Sequence, residues 1–308
     1  MFGKKDLGRV LSLSSCVTPP KKSNQNSAID AIPGIVTWFE TTLEKSFDKS
    51  ETHNGATITN WYDINPQTIT KNNAKQNSAD AKLHPIYKTN CINSLPCLRF
   101  NGSTSFIETL QSTEVVTKEL SIFAIVRPNK TLPDAEQAYV STSGSWEGGT
   151  SFTLKQYPKH SADYQIPNSV DVFSPGRITA GETYMVSLVD DGSIGTTYLN
   201  GVAGYPTATA NPEIITKKID VLTIGAFRNS SEIARYFDGY IGEIIIFERA
   251  LKDDDRKIVE RYLGEKWGIA LPGLIRKEPL PPKSQFDQLK EFVEKKWLPM
   301  FEKVAGFE

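Results

Sequence analysis

Residues 236–271, YFDGYIGEIIIFERALKDDDRKIVERYLGEKWGIAL, constrain the chain more than any other stretch, because they read as one strand running directly into one helix. Residues 239–247 form an apolar run of strand length, rich in isoleucine and bounded by charge. Both faces of the run are apolar apart from Glu243, so the strand belongs inside a sheet covered on both sides. The period then changes. Ile258, Val259, Tyr262, Leu263 and Trp267 recur at helical spacing, and Asp253, Asp254 and Asp255 crowd the start. Acidic side chains there are expected to cap free N–H groups and to complement the helix dipole. Gly268 ends the helix and Pro272 stops any continuation.

Upstream, short apolar segments alternate with turn residues. Residues 35–39 and 58–63 come first, and residues 98–102 end in an Asn-Gly turn pair. Residues 120–128 form the clearest strand of the first half and are closed by proline. Residues 139–141 and 151–154 flank a Gly-rich stretch. Residues 184–189, the turn Asp190-Asp191-Gly192 and residues 196–201 alternate as a hairpin does, and residues 221–225 add a further strand. Many short strands with turn residues about every ten positions, and one late helix, predict an all-β chain folded as a mostly antiparallel β-sandwich. There is no internal repeat at solenoid or propeller period.

The 308 residues divide into three stretches. Residues 1–32 are polar and read as a disordered leader or linker. Within them Leu13-Ser14-Ser15-Cys16 looks like a lipoprotein cleavage box, but its apolar run is far shorter than the roughly 7–15 residues an export signal needs. Residues 33–271 carry the sandwich and its closing helix, and residues 272–308 are a Pro-rich spacer and helical tail. In that tail Phe286, Leu289, Val293 and Trp297 line one face, so residues 284–305 form an amphipathic element. That face either packs back on the sandwich or serves self-association or a protein partner. No apolar run reaches the roughly 18 residues of a transmembrane helix. With 35 basic and 36 acidic residues the net charge is -1, which argues against nucleic acid as a partner.

The order of motifs resembles the LamG-like jelly-roll domains of the concanavalin A-like lectin/glucanase superfamily. Four pieces carry the resemblance. They are residues 33–39 with Trp61-Tyr62-Asp63 and Asn72-Asn73-Ala74, then residues 92–96 with Leu98-Arg99-Phe100-Asn101-Gly102, then the hairpin ending Tyr198-Leu199-Asn200-Gly201, and last Ile241-Gly242-Glu243 through Arg249-Ala250-Leu251 to Trp267-Gly268. The resemblance covers residues 33–271 and implies a concanavalin A-like antiparallel jelly roll with a helix closing the domain. It implies little about function, since the fold hosts lectins, adhesins, structural modules and glycosidases. Where the family often has Asp, this chain has Asn101, so any role of that Asp does not carry over.

A glycosidase needs two carboxylates a few ångströms apart. The superfamily's Glu-x-Asp-x-x-Glu strand motif is absent, and Glu243 and Glu248, an odd separation apart, fall on opposite strand faces. Glu243 reads instead as a structural carboxylate, with Arg99 as its expected partner. His53, His84 and His160 lie in polar, loop-like surroundings and in no metal or triad pattern. Cys91 and Cys97 flank a turn-like spacer, as a hairpin disulfide or as two buried thiols. Asp190, Asp191 and Asn200 offer oxygen ligands for calcium, or simply form the turns of a hairpin.

The candidate ligand-binding surface is the stretch 139–164, where Trp146, Phe152, Tyr157 and Tyr164 accompany Glu147 and His160. Rings beside carboxylates and amides are what a sugar face needs, though half of such rings are core in an ordinary sandwich. The sequence therefore favours a non-catalytic binding or adhesion module for a glycan or cell-surface ligand, extracellular, at a cell surface or on a virion. A structural or assembly protein that uses its C-terminal helix is the second reading, and a glycoside hydrolase the third.

Overall fold

The computed structural model describes residues 26–110, 115–131, 133–142, 151–158, 161–166, 171–209, 217–219, 221–228 and 232–273. Among them two antiparallel sheets face one another. The first has the spatial strand order Val202–Ala203, Ile194–Leu199, Tyr184–Asp190, Leu120–Pro128, Asp238–Phe247, Leu95–Asn101, Ile86–Ile92. Ile35–Glu40 adds to the second half of Asp238–Phe247, and Thr207–Ala208 pairs with Ile194–Leu199. The second sheet runs Val172–Phe173, Ala162–Gln165, Thr153–Gln156, Gln137–Thr142, Leu222–Ile224, Ile107–Thr109, Ala74–Lys75, Asn60–Trp61. The chain is the antiparallel jelly-roll sandwich that the strand pattern predicts.

Strand alternation sorts the apolar residues into two cores. Ile122, Ala124, Val126, Val186, Leu188, Ile244 and Ile246 face the second sheet and join its Val140, Leu154 and Tyr164. The alternate residues Phe123, Ile125, Met185, Ile245 and Phe247 point outward into a second core under helix α2, Asp253–Trp267. Asp238–Phe247 is therefore covered on both sides, by a sheet and by a helix. Val259, Tyr262, Leu263 and Trp267 of α2 are buried, but Ile258, at 37% exposed, stands on the solvent side of the helical stripe. Gly268 closes α2 in the left-handed conformation at φ 73°, where a side chain would be strained.

Three expectations need correction. Helix α1, Asn26–Asp30, and Ile32 belong to the fold rather than to a leader, because Ile29 and Ile32 are buried in the second core. The aspartates at the start of α2 do not cap it. The N-cap is Lys252, without a side-chain cap, while Asp253 accepts from Arg256 and Lys257, and Asp255 from Arg249. Nor is Arg99 the partner of Glu243, since Arg99 pairs with Asp238 at 2.7 Å. The register of Leu95–Asn101 on Asp238–Phe247 sets Arg99 opposite Tyr240, within reach of Asp238. Cys91 and Cys97 are joined as a disulfide across the hairpin Ile86–Ile92/Leu95–Asn101, with Cα atoms 5.9 Å apart. The tail, 284–305 included, lies outside the described residues. No helix among the described residues is long and apolar enough to cross a membrane.

Candidate functional site

The two sheets meet at one edge of the sandwich, where Val172–Phe173 ends the second sheet and Val202–Ala203 and Thr207–Ala208 end the first. Their backbones touch there. Gly204 donates to the Thr197 carbonyl at 2.8 Å, and Thr197 donates its hydroxyl to the Val172 carbonyl at 2.8 Å. A Cβ on Gly204 would lie 2.2 Å from the Phe173 carbonyl oxygen, so only glycine permits this approach. Beyond the seam the edges diverge into a cleft of about 690 Å³, lined by Ser161, Phe173, Ser174, Arg177, Tyr205 and Thr207 together with small residues. That volume is in the range of small-molecule sites.

Two rings shape the cleft. Tyr205 is 89% exposed, held between Gly204 and Pro206 in a turn where no strand can bury it. Phe173 is half-buried and braced edge-on by Tyr157 at 5.4 Å and 81°. Polar groups stand beside them. Ser161 donates to the Ser174 carbonyl at 2.7 Å, and Thr207 to the Tyr205 carbonyl at 3.1 Å. The Ser174 hydroxyl is buried in the cleft wall and has no hydrogen-bond partner among the described residues. Apolar ring faces beside hydroxyls suit a sugar, which presents CH faces and OH edges.

The residues singled out from sequence fare unevenly. Trp146, Glu147 and His160 lie outside the described residues. Phe152 and Tyr164 are not ligand-facing: both are fully buried between the sheets, because their strand parity points them inward. Of the described candidates only Tyr157 adjoins the cleft, and it acts as a brace for Phe173. Sequence reading missed Phe173, Ser174, Arg177 and Tyr205. The signal for them was slight: Phe173-Ser174-Pro175-Gly176-Arg177 and Gly204-Tyr205-Pro206 are turn segments carrying a ring, one of them beside a cation.

Nor do the candidate calcium ligands converge. Asp190 and Asn200 sit at opposite ends of the hairpin, since Asp190 pairs with Gly195 while Val186 pairs with Leu199. Asp190 is buried and accepts from Tyr164, Thr209 and Gly192. Asp191 holds its own turn through Ser193 and Ile194, and Asn200 accepts from Met185. All three are turn and core residues. Among the described residues no group of three or more His, Cys, Asp or Glu could hold a metal.

Two of the buried charge clusters among the described residues hold carboxylates with raised pKa, and both lie away from the cleft. On the outer face of the second sheet Lys155 donates to Glu136 and Gln165 at 2.6 Å each and stands 3.8 Å from Asp163. Burial, opposed by the Lys155 ammonium, pushes Asp163 up to about 8, and neither of its oxygens has a hydrogen-bond partner. Under α2, Glu243 accepts from the indoles of Trp38 and Trp267 and from Lys266, each at 2.7 Å. Burial raises its pKa and the Lys266 ammonium lowers it, with burial the larger effect. Neither carboxylate reaches the cleft.

Comparison with known proteins gives one family match. Residues 101–255, half of the chain, match the laminin G-type family profile described as the Concanavalin A-like lectin/glucanases superfamily. Sequence comparison with curated proteins returns no match. Among solved structures, the receptor binding domain of botulinum neurotoxin D superposes with a TM-score of 0.52 at 12% identity, covering 79% of this chain and 57% of that one. The serotype D ligand binding domain in complex with N-acetylneuraminic acid gives 0.52 at 13%, covering 81% and 56%. Domain 4 of AbnA, a GH43 extracellular arabinanase from Geobacillus stearothermophilus, in complex with arabinotriose, gives 0.49 at 16%, covering 74% and 97%. This chain thus spans a little over half the length of the neurotoxin chains. At such identities the likeness is one of fold.

Proposed function

We propose that this chain, which belongs to the laminin G-type family of the concanavalin A-like lectin/glucanases superfamily, is a non-catalytic carbohydrate-binding module whose ligand site is the edge cleft. The observation that carries the reading is the cleft itself: an exposed Tyr205 ring, a braced Phe173 ring and the polar side chains of Thr207 and Arg177 around about 690 Å³. Rings of this kind stack on the apolar face of a pyranose, while hydroxyls answer its edge. The described residues that line the cleft include no carboxylate, the group a glycosidase uses as acid and nucleophile. The Cys91–Cys97 bond supports an oxidising setting, hence an extracellular or surface-displayed module that serves attachment.

The test is a glycan array on the intact protein, run with and without calcium, against the Tyr205→Ala variant. Tyr205 is exposed, so its removal leaves the fold intact, and binding is expected to fall by about tenfold or more, as loss of one stacked ring implies. Glycan binding that is undiminished in Tyr205→Ala places the site elsewhere. Hydrolysis of a polysaccharide that is lost with a single carboxylate substitution overturns the non-catalytic reading.

A further inference from the structure

We infer that the cleft selects acidic saccharides, holding a sugar carboxylate on the guanidinium of Arg177. The inference rests on the carbohydrate reading above and goes beyond it by naming the ligand class. Arg177 is the one charged residue among the described residues lining the cleft, and it is exposed. Five arginines of the fold are tied to carboxylates: Arg99 to Asp238, Arg228 to Glu108, Arg235 to Glu136, Arg249 to Asp255 and Arg256 to Glu260. Arg177 has no such partner among the described residues. An uncompensated guanidinium beside two rings presents a planar fork of donors, and a carboxylate matches that fork with two parallel hydrogen bonds. The whole chain carries a net charge of -1, so attraction for an acid is a local property of the cleft rather than of the molecule.

The geometry divides the labour. Tyr205 and Phe173 offer apolar faces to the ring of the sugar, Thr207 offers a hydroxyl to its edge, and Arg177 reads the acid. A uronate and a sialate share this chemistry, and matched pairs of probes tell them apart.

The experiment is calorimetric titration of the intact protein with two acid/neutral pairs, oligogalacturonate against galactose oligomers and sialyllactose against lactose. Wild type is expected to prefer one acid over its neutral partner by about tenfold at low salt, with the preference shrinking as salt rises. Arg177→Ala is expected to abolish that preference, so that acid and neutral partner bind alike, and Arg177→Lys to restore only part of it. Thermal melting of each variant checks that the fold persists. An acid preference that survives Arg177→Ala overturns the assignment. So does Tyr205-dependent binding with no acid preference, although the carbohydrate reading then stands. Binding of sulfated but not carboxylated sugars also overturns it, and an absence of binding to any saccharide removes both readings together.

Discussion

Glu243 is fully buried, and its two oxygens meet two indole N–H groups and an ammonium. The neighbouring Gly242 belongs to the same device: a Cβ there would come within 2.5 Å of the Trp267 indole. Glycine lets the ring approach and the glutamate receives it, which gives the Ile-Gly-Glu sequence a packing cause. Glu243→Gln keeps the shape but turns an NH2 group toward one indole N–H. A loss of about 3 kcal/mol in urea unfolding is expected, since a buried donor is left unmatched. Stability equal to wild type would mean the clamp contributes nothing. Asp163 gives a pH signature. An unfolded aspartate titrates near 3.9, whereas burial holds Asp163 at about 8. Between roughly pH 4 and 8 the folded chain retains a proton that the unfolded chain has released. The stability from this group is complete below that window and is lost as pH rises through it, by up to about 1.4 kcal/mol per unit. Asp163→Asn should remove the slope, so that the variant gains on wild type between pH 5 and 8.5. Parallel stability profiles would show that Asp163 is ionised throughout.

At the scale of elements, the closing strand and helix were legible from sequence because each carries its own period. A run of isoleucines two-sided in its apolarity demands cover on both faces, and Asp238–Phe247 has it. The hairpin Ile86–Ile92/Leu95–Asn101 was legible only in part. The spacing of Cys91 and Cys97 allowed either a bond or two thiols, and the fold decided for the bond by pairing the strands with a register shift between Lys88 and Ile92. In the chain-entropy view a loop this short contributes about 2 kcal/mol when closed. Cys91→Ser with Cys97→Ser should therefore lower stability by that amount in denaturant unfolding and leave the sandwich folded. A reducing agent should do the same to wild type and nothing to the double variant.

For the whole molecule, the fold includes α1 and does not begin at Pro33. Ile29 and Ile32 are composition-poor signals in a polar stretch, yet both fill the core between α2 and the first sheet. Burying such side chains stabilises by about 1.5–3 kcal/mol each. A chain starting at Pro33 should consequently lose at least about 3 kcal/mol relative to one starting at Asn26, measured by thermal or urea unfolding. Equal stability would return the 26–32 segment to the status of a leader. The sandwich, its closing helix and its family were determined by the sequence alone, because strand alternation, helical spacing and turn residues are local signals that survive without knowledge of contacts. The cleft was decided by tertiary structure. Phe173, Ser174 and Arg177 stand apart from Tyr205 in the chain, and only the closure of two sheet edges at Gly204 brings them together. Burial was likewise decided there: Phe152 and Tyr164 resemble surface rings in sequence, and strand parity turns them into the core. A ring's chemistry is written in the sequence, but which side of a sheet it faces depends on a register that distant strands impose.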